Sequence, residues 1–212
     1  WKNGSGKSSL AFSLLGHPKY IIDSGSLIVD EQDITSAAPD SRAHLGMFLS
    51  FQHVPELKWV RLLEYLRTIY NTHLTRKNPE TKPLTPFVFL RYVKPFLAEL
   101  HIDEKMLDRD LNVGFSGGEK RKIEILQMKL LNPKYVILDE IDSGLDIDAF
   151  RTIASFLAKE KNDERCYIII THNFKMAEFL SPDEVIVLQK WEIVRKGGKE
   201  LVEEIGERGF EN

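Results

Sequence analysis

Residues 114–146 read GFSGGEKRKIEILQMKLLNPKYVILDEIDSGLD, and their order decides the fold. A glycine-rich turn runs into a helix, a proline breaks it, a short apolar strand ends in two carboxylates, and a second tight turn follows. Ser116-Gly117-Gly118-Glu119 offers a hydroxyl and bare backbone amides at a helix start, where unpaired N–H groups and the helix dipole favour a phosphate. Ile123, Leu126, Leu130 and Leu131 recur at helical spacing, and Asn132-Pro133 ends the run because proline cannot continue it. Tyr135-Val136-Ile137-Leu138 is a short apolar run of the kind found in strands covered on both faces. Asp139 and Glu140 then emerge at the carboxyl end of a central strand, where open α/β sheets place their ligands.

Working outward, the first residues supply a partner for those acids. Asn3-Gly4-Ser5-Gly6-Lys7-Ser8, with Ser9 behind it, is the body of a phosphate-binding loop, G-x-x-x-x-G-K-[ST], running into a helix. The glycines let backbone N–H groups wrap phosphates, Lys7 brings a point charge to the terminal ones, and the Ser8 hydroxyl is a ligand for Mg²⁺. A flexible Gly/Ser linker is the competing reading, and the strand-end acids downstream argue against it. Residues 47–51 read as a strand that delivers Gln52, whose amide oxygen suits the same cation. Residues 166–170 are expected to form a second buried strand, ending at Thr171-His172-Asn173. A histidine at the tip of a strand parallel to the Asp139-Glu140 strand is placed to touch the same phosphate.

Composition excludes several classes. The 212 residues suffice for one domain or one and a half, and 42% apolar with 29% charged residues are globular values. A formal charge of −3 gives no electrostatic case for nucleic acid. No apolar run approaches the ~20 residues of a membrane span. The single cysteine, Cys166, excludes an intramolecular disulfide and is expected to be a small buried core residue. A reducing, cytosol-like compartment fits, and there is no signal-peptide pattern, although a chain that opens on Trp1 leaves targeting unread.

The remaining elements are expected as follows. A helix over 7–15 precedes a hairpin of 20–22 with 26–29 around Asp23-Ser24-Gly25, and 39–43 open a short helix. A helix spans 57–74, an exposed loop 72–86, and a helical stretch 87–100 with a kink or break at Pro95. Ser143-Gly144-Leu145-Asp146 caps a helix over 147–159, a short helix covers 174–180, 184–188 and 191–195 form a hairpin, and a helix over 199–207 closes the chain. Residues 1–56 and 134–212 are expected to form a nucleotide-binding α/β core, and 57–133 a helical subdomain.

These residues together resemble the ATP-binding cassette ATPases. Residues 3–8 are similar to the Walker A motif, Gln52 to the Q-loop and 115–119 to the signature motif. Residues 135–140 are similar to Walker B with its catalytic glutamate, 143–146 to the D-loop, and His172 to the switch histidine. Within the family the wording resembles the SufC type most, in NVGFSGGEKRKIEILQM, LDEIDSGLDIDA, GHPKY and GMFLSFQ. A transporter cassette more often carries glutamine at the place of Glu119 and proline-threonine at the place of Ile141-Asp142.

The resemblance implies an α/β P-loop NTPase of the ABC ATPase type, with a mixed sheet core and a helical subdomain, that binds ATP and Mg²⁺. It implies that residues 3–9 hold the phosphates, that Ser8 and Gln52 ligate Mg²⁺ with Asp139 supporting through water, and that Glu140 is the general base. His172 would contact the γ-phosphate. Ser116, Gly117 and Gly118 would act across a transient head-to-tail homodimer, and Asp146 belongs to the same nucleotide-binding set. The implied partners are SufB and SufD scaffold proteins, without nucleic acid or membrane insertion, in the cytoplasm or the plastid stroma. A transporter subunit, or a non-catalytic module with a degenerate loop, fits the same residues as an alternative.

Departures from the family pattern stand at the start and after Gln52. Trp1-Lys2 occupy places where the loop favours glycine, a misfit of about 1–3 kcal/mol if the backbone were kept. The strand that leads into the loop and an aromatic residue that stacks on adenine are also expected upstream. The stretch is therefore read as a truncated piece, poorly soluble alone because of bare sheet edges. Residues 53–59 differ from the proline-rich wording expected at the docking region.

Overall fold

The computed structural model describes residues 5–51, 54–171 and 173–208. In chain order the elements are α1 (Lys7–Leu14), β1 (Ile28–Val29), β2 (Gln32–Asp33), α2 (Pro39–His44), β3 (Met47–Ser50), β4 (Leu57–Arg61), α3 (Leu62–Lys77) and α4 (Pro86–Glu99). After a 3-10 turn at Glu104–Asp108 come β5 (Asp110–Leu111), α5 (Gly117–Leu131), β6 (Tyr135–Asp139), α6 (Ile147–Glu160), β7 (Cys166–Ile170), α7 (Phe174–Leu180), β8 (Val185–Gln189), β9 (Glu192–Gly197) and α8 (Lys199–Arg208). They fall into two compact units, one of residues 1–51, 134–142 and 161–212, the other of 52–133 and 143–160. Residues 143–160, assigned to the core from the sequence, cluster with the second unit.

In the first unit β3, β6 and β7 make a parallel sheet with β6 in the centre, registered Met47 to Tyr135 and Tyr135 to Cys166. Val136, Ile137 and Leu138 are fully buried there, as expected of a strand covered on both faces. Ala11 of α1 packs with Leu49, Ile137 and Ile170, one residue from each strand, which seats the helix on the sheet. The β8–β9 hairpin carries α8 through Val187, Leu201 and Ile205.

Three expectations for this unit are corrected. The early hairpin pairs Ile28–Val29 with Gln32–Asp33 around Asp30 and Glu31, whose φ of 49° and 65° suit a tight two-residue turn. Residues 20–22 form no strand, because Tyr20 is held by ring contacts to Phe12 and His17. Cys166 is exposed, and β7 alternates between outward and half-covered residues, so this apolar run is not buried on both faces.

In the second unit the helix expected from residue 57 starts later. Leu57 and Arg61 pair antiparallel with Leu111 and Asp110, and the residues between them bulge outward. Arg61 keeps an extended backbone, and Leu62 N–H donates to the Arg109 carbonyl (2.9 Å), so α3 begins only at Leu62. It then outruns the expected end and stops at Lys77, and the following loop is pinned by Asn71. Its Oδ1 accepts from Leu84 N–H (2.8 Å) and its Nδ2 donates to the Leu84 carbonyl (3.0 Å). Pro95 does not divide α4. The buried stripe Phe89, Val93 and Leu97 holds the helix together, and burial of three such side chains outweighs the ~3 kcal/mol of an interior proline.

Candidate functional site

Within the first unit the phosphate loop and the strand-end acids occupy one sheet system. Gly6 is the N-cap of α1, with φ 93° and no side-chain cap, so the first amides of the helix have no side chain of the chain's own at the cap. Ser8 and Ser9 lie half-buried in the first turn. Lys7 is buried, and its Nζ donates to Ser5 Oγ at 2.8 Å.

Gly6 also meets a residue that the sequence reading did not single out. A Cβ at Gly6 would come within 2.5 Å of Cε3 of Trp191, so the indole lies directly on the glycine. Trp191 and Lys190 form the two-residue turn between β8 and β9, both with positive φ. Such turns favour Asn-Gly, and the absence of either residue from Gln189-Lys190-Trp191-Glu192 is a signal visible in the sequence.

Asp139, the last residue of β6, is 1% exposed. Glu140 leaves the strand in a left-handed conformation, φ 49°, while its N–H donates to the Ile170 carbonyl at 2.8 Å. A strained, half-buried carboxylate at a strand end is the type of feature that concentrates at functional sites. Two residues on, Asp142 is buried, and its Oδ2 accepts from Thr171 Oγ1 at 2.8 Å. Thr171 Oγ1 in turn accepts from Asn173 N–H (2.9 Å), and Asn173 Oδ1 caps α7 through Lys175 N–H (3.0 Å). Residues on both sides of position 172 are thus tied to the acid strand. Asp142 and Thr171 were not read as site residues, although both stand at the ends of strands that bear candidates.

The second unit carries the glycine turn. Ser116 forms a reciprocal cap with Glu119: its Oγ accepts from Glu119 N–H (3.2 Å) and its N–H donates to Glu119 Oε2 (2.7 Å). The Ser116 hydroxyl keeps its own proton for donation. A Cβ at Gly118 would stand 3.0 Å from the Ala149 methyl, and one at Gly117 would stand 3.8 Å from the Gly144 carbonyl. Asp146 Oδ1 accepts from Ala149 N–H (2.7 Å) and caps α6. The amino termini of α5 and α6 therefore lie side by side, with both positive dipole ends near Gly118.

Asn3, Gly4, Gln52 and His172 lie outside the described residues. Among the described residues no three His, Cys, Asp or Glu side chains gather as a metal cage. The candidate ligands here are the Ser8 hydroxyl and the Asp139 carboxylate, hard oxygen donors of the kind Mg²⁺ takes beside phosphate and water.

Comparison with known proteins identifies the family. Residues 2–143 match the ABC transporter family. A protein of Antithamnion sp. named "Probable ATP-dependent transporter ycf16" is 42% identical over 210 residues, covering 99% of this chain and 83% of its own length. The "Iron-sulfur cluster assembly protein SufC" of Plasmodium falciparum is 36% identical over 209 residues, covering 99% of this chain and 60% of that protein. Among solved structures, a dimeric post-hydrolysis state of the ATP-binding cassette MJ0796 superposes with a TM-score of 0.76 at 17% identity, covering 93% of this chain and 82% of that one. The chain belongs to the ABC transporter family of ATP-binding cassettes, with the α/β P-loop fold of that family, and ATP hydrolysis is its general reaction. No helix of the described residues is long and apolar enough to cross a membrane.

Proposed function

We propose that this chain is the ATP-hydrolysing subunit of an iron–sulfur cluster assembly complex, where it drives a change of shape in a SufB/SufD-like scaffold. Likeness to SufC over 99% of the chain is the observation that carries the assembly role. Hydrolysis itself is supported by Glu140, which leaves in a left-handed conformation the end of β6, the strand on which α1 is seated.

Phosphoryl transfer asks for positioning and charge stabilisation. Amides of residues 3–9 and the Lys7 ammonium hold the phosphates. Ser8 and Gln52 would hold Mg²⁺, with Asp139 supporting it through water, and the cation would supply positive charge to the phosphate oxygens. Glu140 accepts a proton from the attacking water as its oxygen bonds to the γ-phosphorus; the bond from that phosphorus to the bridging oxygen breaks, and ADP leaves with the electron pair. His172 stabilises the γ-phosphate oxygens. Ser116, Gly117 and Gly118, with Asp146, present helix N-termini to the nucleotide of a second copy in a transient head-to-tail dimer. The compartment is the cytoplasm or the plastid stroma.

A second reading is favoured by the name of the Antithamnion relative, a probable ATP-dependent transporter. Affinity purification of the tagged full-length protein, in its Glu140→Gln form with ATP present, separates the two. Recovery of a soluble scaffold pair is expected. Recovery of an integral membrane subunit in its place would overturn the assembly role and leave the ATPase chemistry standing.

A further inference from the structure

Arg42 is among the most deeply buried charged residues described, 2% exposed, and no carboxylate pairs with it among the described residues. Its guanidinium spends its donors on backbone carbonyls alone. Nη1 donates to Ser13 (2.6 Å) and Leu14 (2.9 Å), Nε to Ala37 (2.9 Å) and Nη2 to Thr35 (2.8 Å). Ser13 and Leu14 end α1, where the last carbonyls have no partner within the helix and the dipole favours a cation. Burial without a counter-charge pulls the Arg42 pKa down from its ordinary value. The space it occupies is reserved by Gly16, φ 71°, where a Cβ would stand 2.9 Å from Arg42 Nε and 3.0 Å from the Ala37 carbonyl.

At its other end α1 carries Gly6, Lys7 and Ser8. The helix has only 8 residues, about 12 Å, so a shift at its carboxyl end is carried to its amino end. Its seat on the sheet rests on Ala11, with Phe12, Leu14 and Leu15 packed alongside. Arg42 adds to that seat by fixing the helix end to the Thr35 and Ala37 carbonyls.

The geometry points to Arg42 as a positioning residue for nucleotide binding: it clamps the carboxyl end of α1 and thereby holds the phosphate loop at the amino end in register. This rests on the reading that Gly6, Lys7 and Ser8 hold the phosphates. A buried staple of fold stability alone would leave the loop's affinity untouched, and that difference is measurable. Lysine keeps the charge but cannot reach four carbonyls in separate directions.

The test is equilibrium binding of ATP and of tripolyphosphate, which has the phosphates without the base, to the full-length protein and to Arg42→Lys, Arg42→Gln and Asn71→Ala. Asn71 is a buried staple in the other unit, its side chain tied to Leu84. Thermal unfolding is followed alongside. Arg42→Lys is expected to weaken both ligands by about tenfold, and Arg42→Gln by more, whereas Asn71→Ala lowers the unfolding midpoint and leaves both affinities within about twofold. Arg42 variants that bind both ligands like the wild type, whatever their midpoint, would overturn the proposal; so would an equal loss in Asn71→Ala. Should Arg42→Gln fail to fold, Arg42→Lys decides alone. A wild-type protein that binds neither ligand would instead overturn the phosphate-loop reading.

Discussion

Gly118 and Ala149 touch where α5 and α6 begin, with a Cβ on Gly118 destined to stand 3.0 Å from the alanine methyl. That distance is too short for an unstrained contact between two methyl groups, so the absence of a side chain lets the two helix starts lie together. Gly118→Ala is expected to lower stability by about 1–3 kcal/mol through overpacking, and to abolish ATP turnover. Adding Ala149→Gly should return most of the stability, measured by urea unfolding. If turnover returns with it, Gly118 serves packing alone; if only stability returns, the glycine is needed for approach of a phosphate.

Glu140→Gln keeps the size of the side chain and removes the base. Steady-state ATP hydrolysis is expected to fall by roughly 10²- to 10³-fold, while ATP affinity holds within a small factor and the dimer accumulates in gel filtration with ATP. Hydrolysis near the wild-type rate would end the assignment of Glu140 as base.

How much of this was legible beforehand follows from how local each signal is. The turn at Ser116, the strand Tyr135–Asp139 and the Asp146 cap depend on neighbours within a few residues, and each was readable from composition and spacing. The bulged strand before α3 was not, because it exists through pairing with Asp110 and Leu111 about fifty residues later. Its apolar spacing passes equally for the first turn of a helix. Cys166 misled for the same reason in reverse: an apolar run shows that a strand is present but not which of its faces is covered. The Asp142–Thr171 bond and the Arg42 clamp join residues 29 positions apart, and no local pattern announces either.

Asn112 offers a test of one long-range bond. It is 2% exposed with φ 63°, and its Nδ2 donates to the Pro55 carbonyl at 2.9 Å, which ties the segment after Gln52 to the approach of the glycine turn. Asn112→Gly keeps the backbone at ease and deletes the bond, for an expected loss of about 1 kcal/mol. Asn112→Ala deletes the bond and adds left-handed strain, so its loss should be larger by about 1 kcal/mol. Equal losses would mean that strain at this position is relieved elsewhere.

His73, half-buried on α3, has its pKa held below the ordinary value, chiefly by burial and further by the nearby Lys77. The unfolded chain therefore takes up this proton at higher pH than the folded one. Its contribution to stability is complete above the unfolded pKa of about 6.5 and is lost as pH falls through the lower folded value. Unfolding free energy should thus decline on acidification from about pH 6.5, and His73→Gln should flatten that part of the profile. An unchanged slope in the variant would assign the decline to other groups.

Trp59 gives a prediction whose sign runs against intuition. It is 93% exposed, its φ is 66°, and its N–H donates to Asp110 Oδ2 at 3.0 Å. A left-handed backbone costs an L-residue about 1–2 kcal/mol, and an indole in water returns almost nothing by burial. Glycine would relieve that strain and keep the N–H bond to Asp110. Its greater freedom in the unfolded chain offsets about 0.5–1 kcal/mol of the gain. The balance favours the folded state, so Trp59→Gly is expected to raise unfolding free energy by up to about 1 kcal/mol. Urea unfolding of the two proteins decides it. A fall in stability would mean that the indole has packing in solution that its exposure does not reveal.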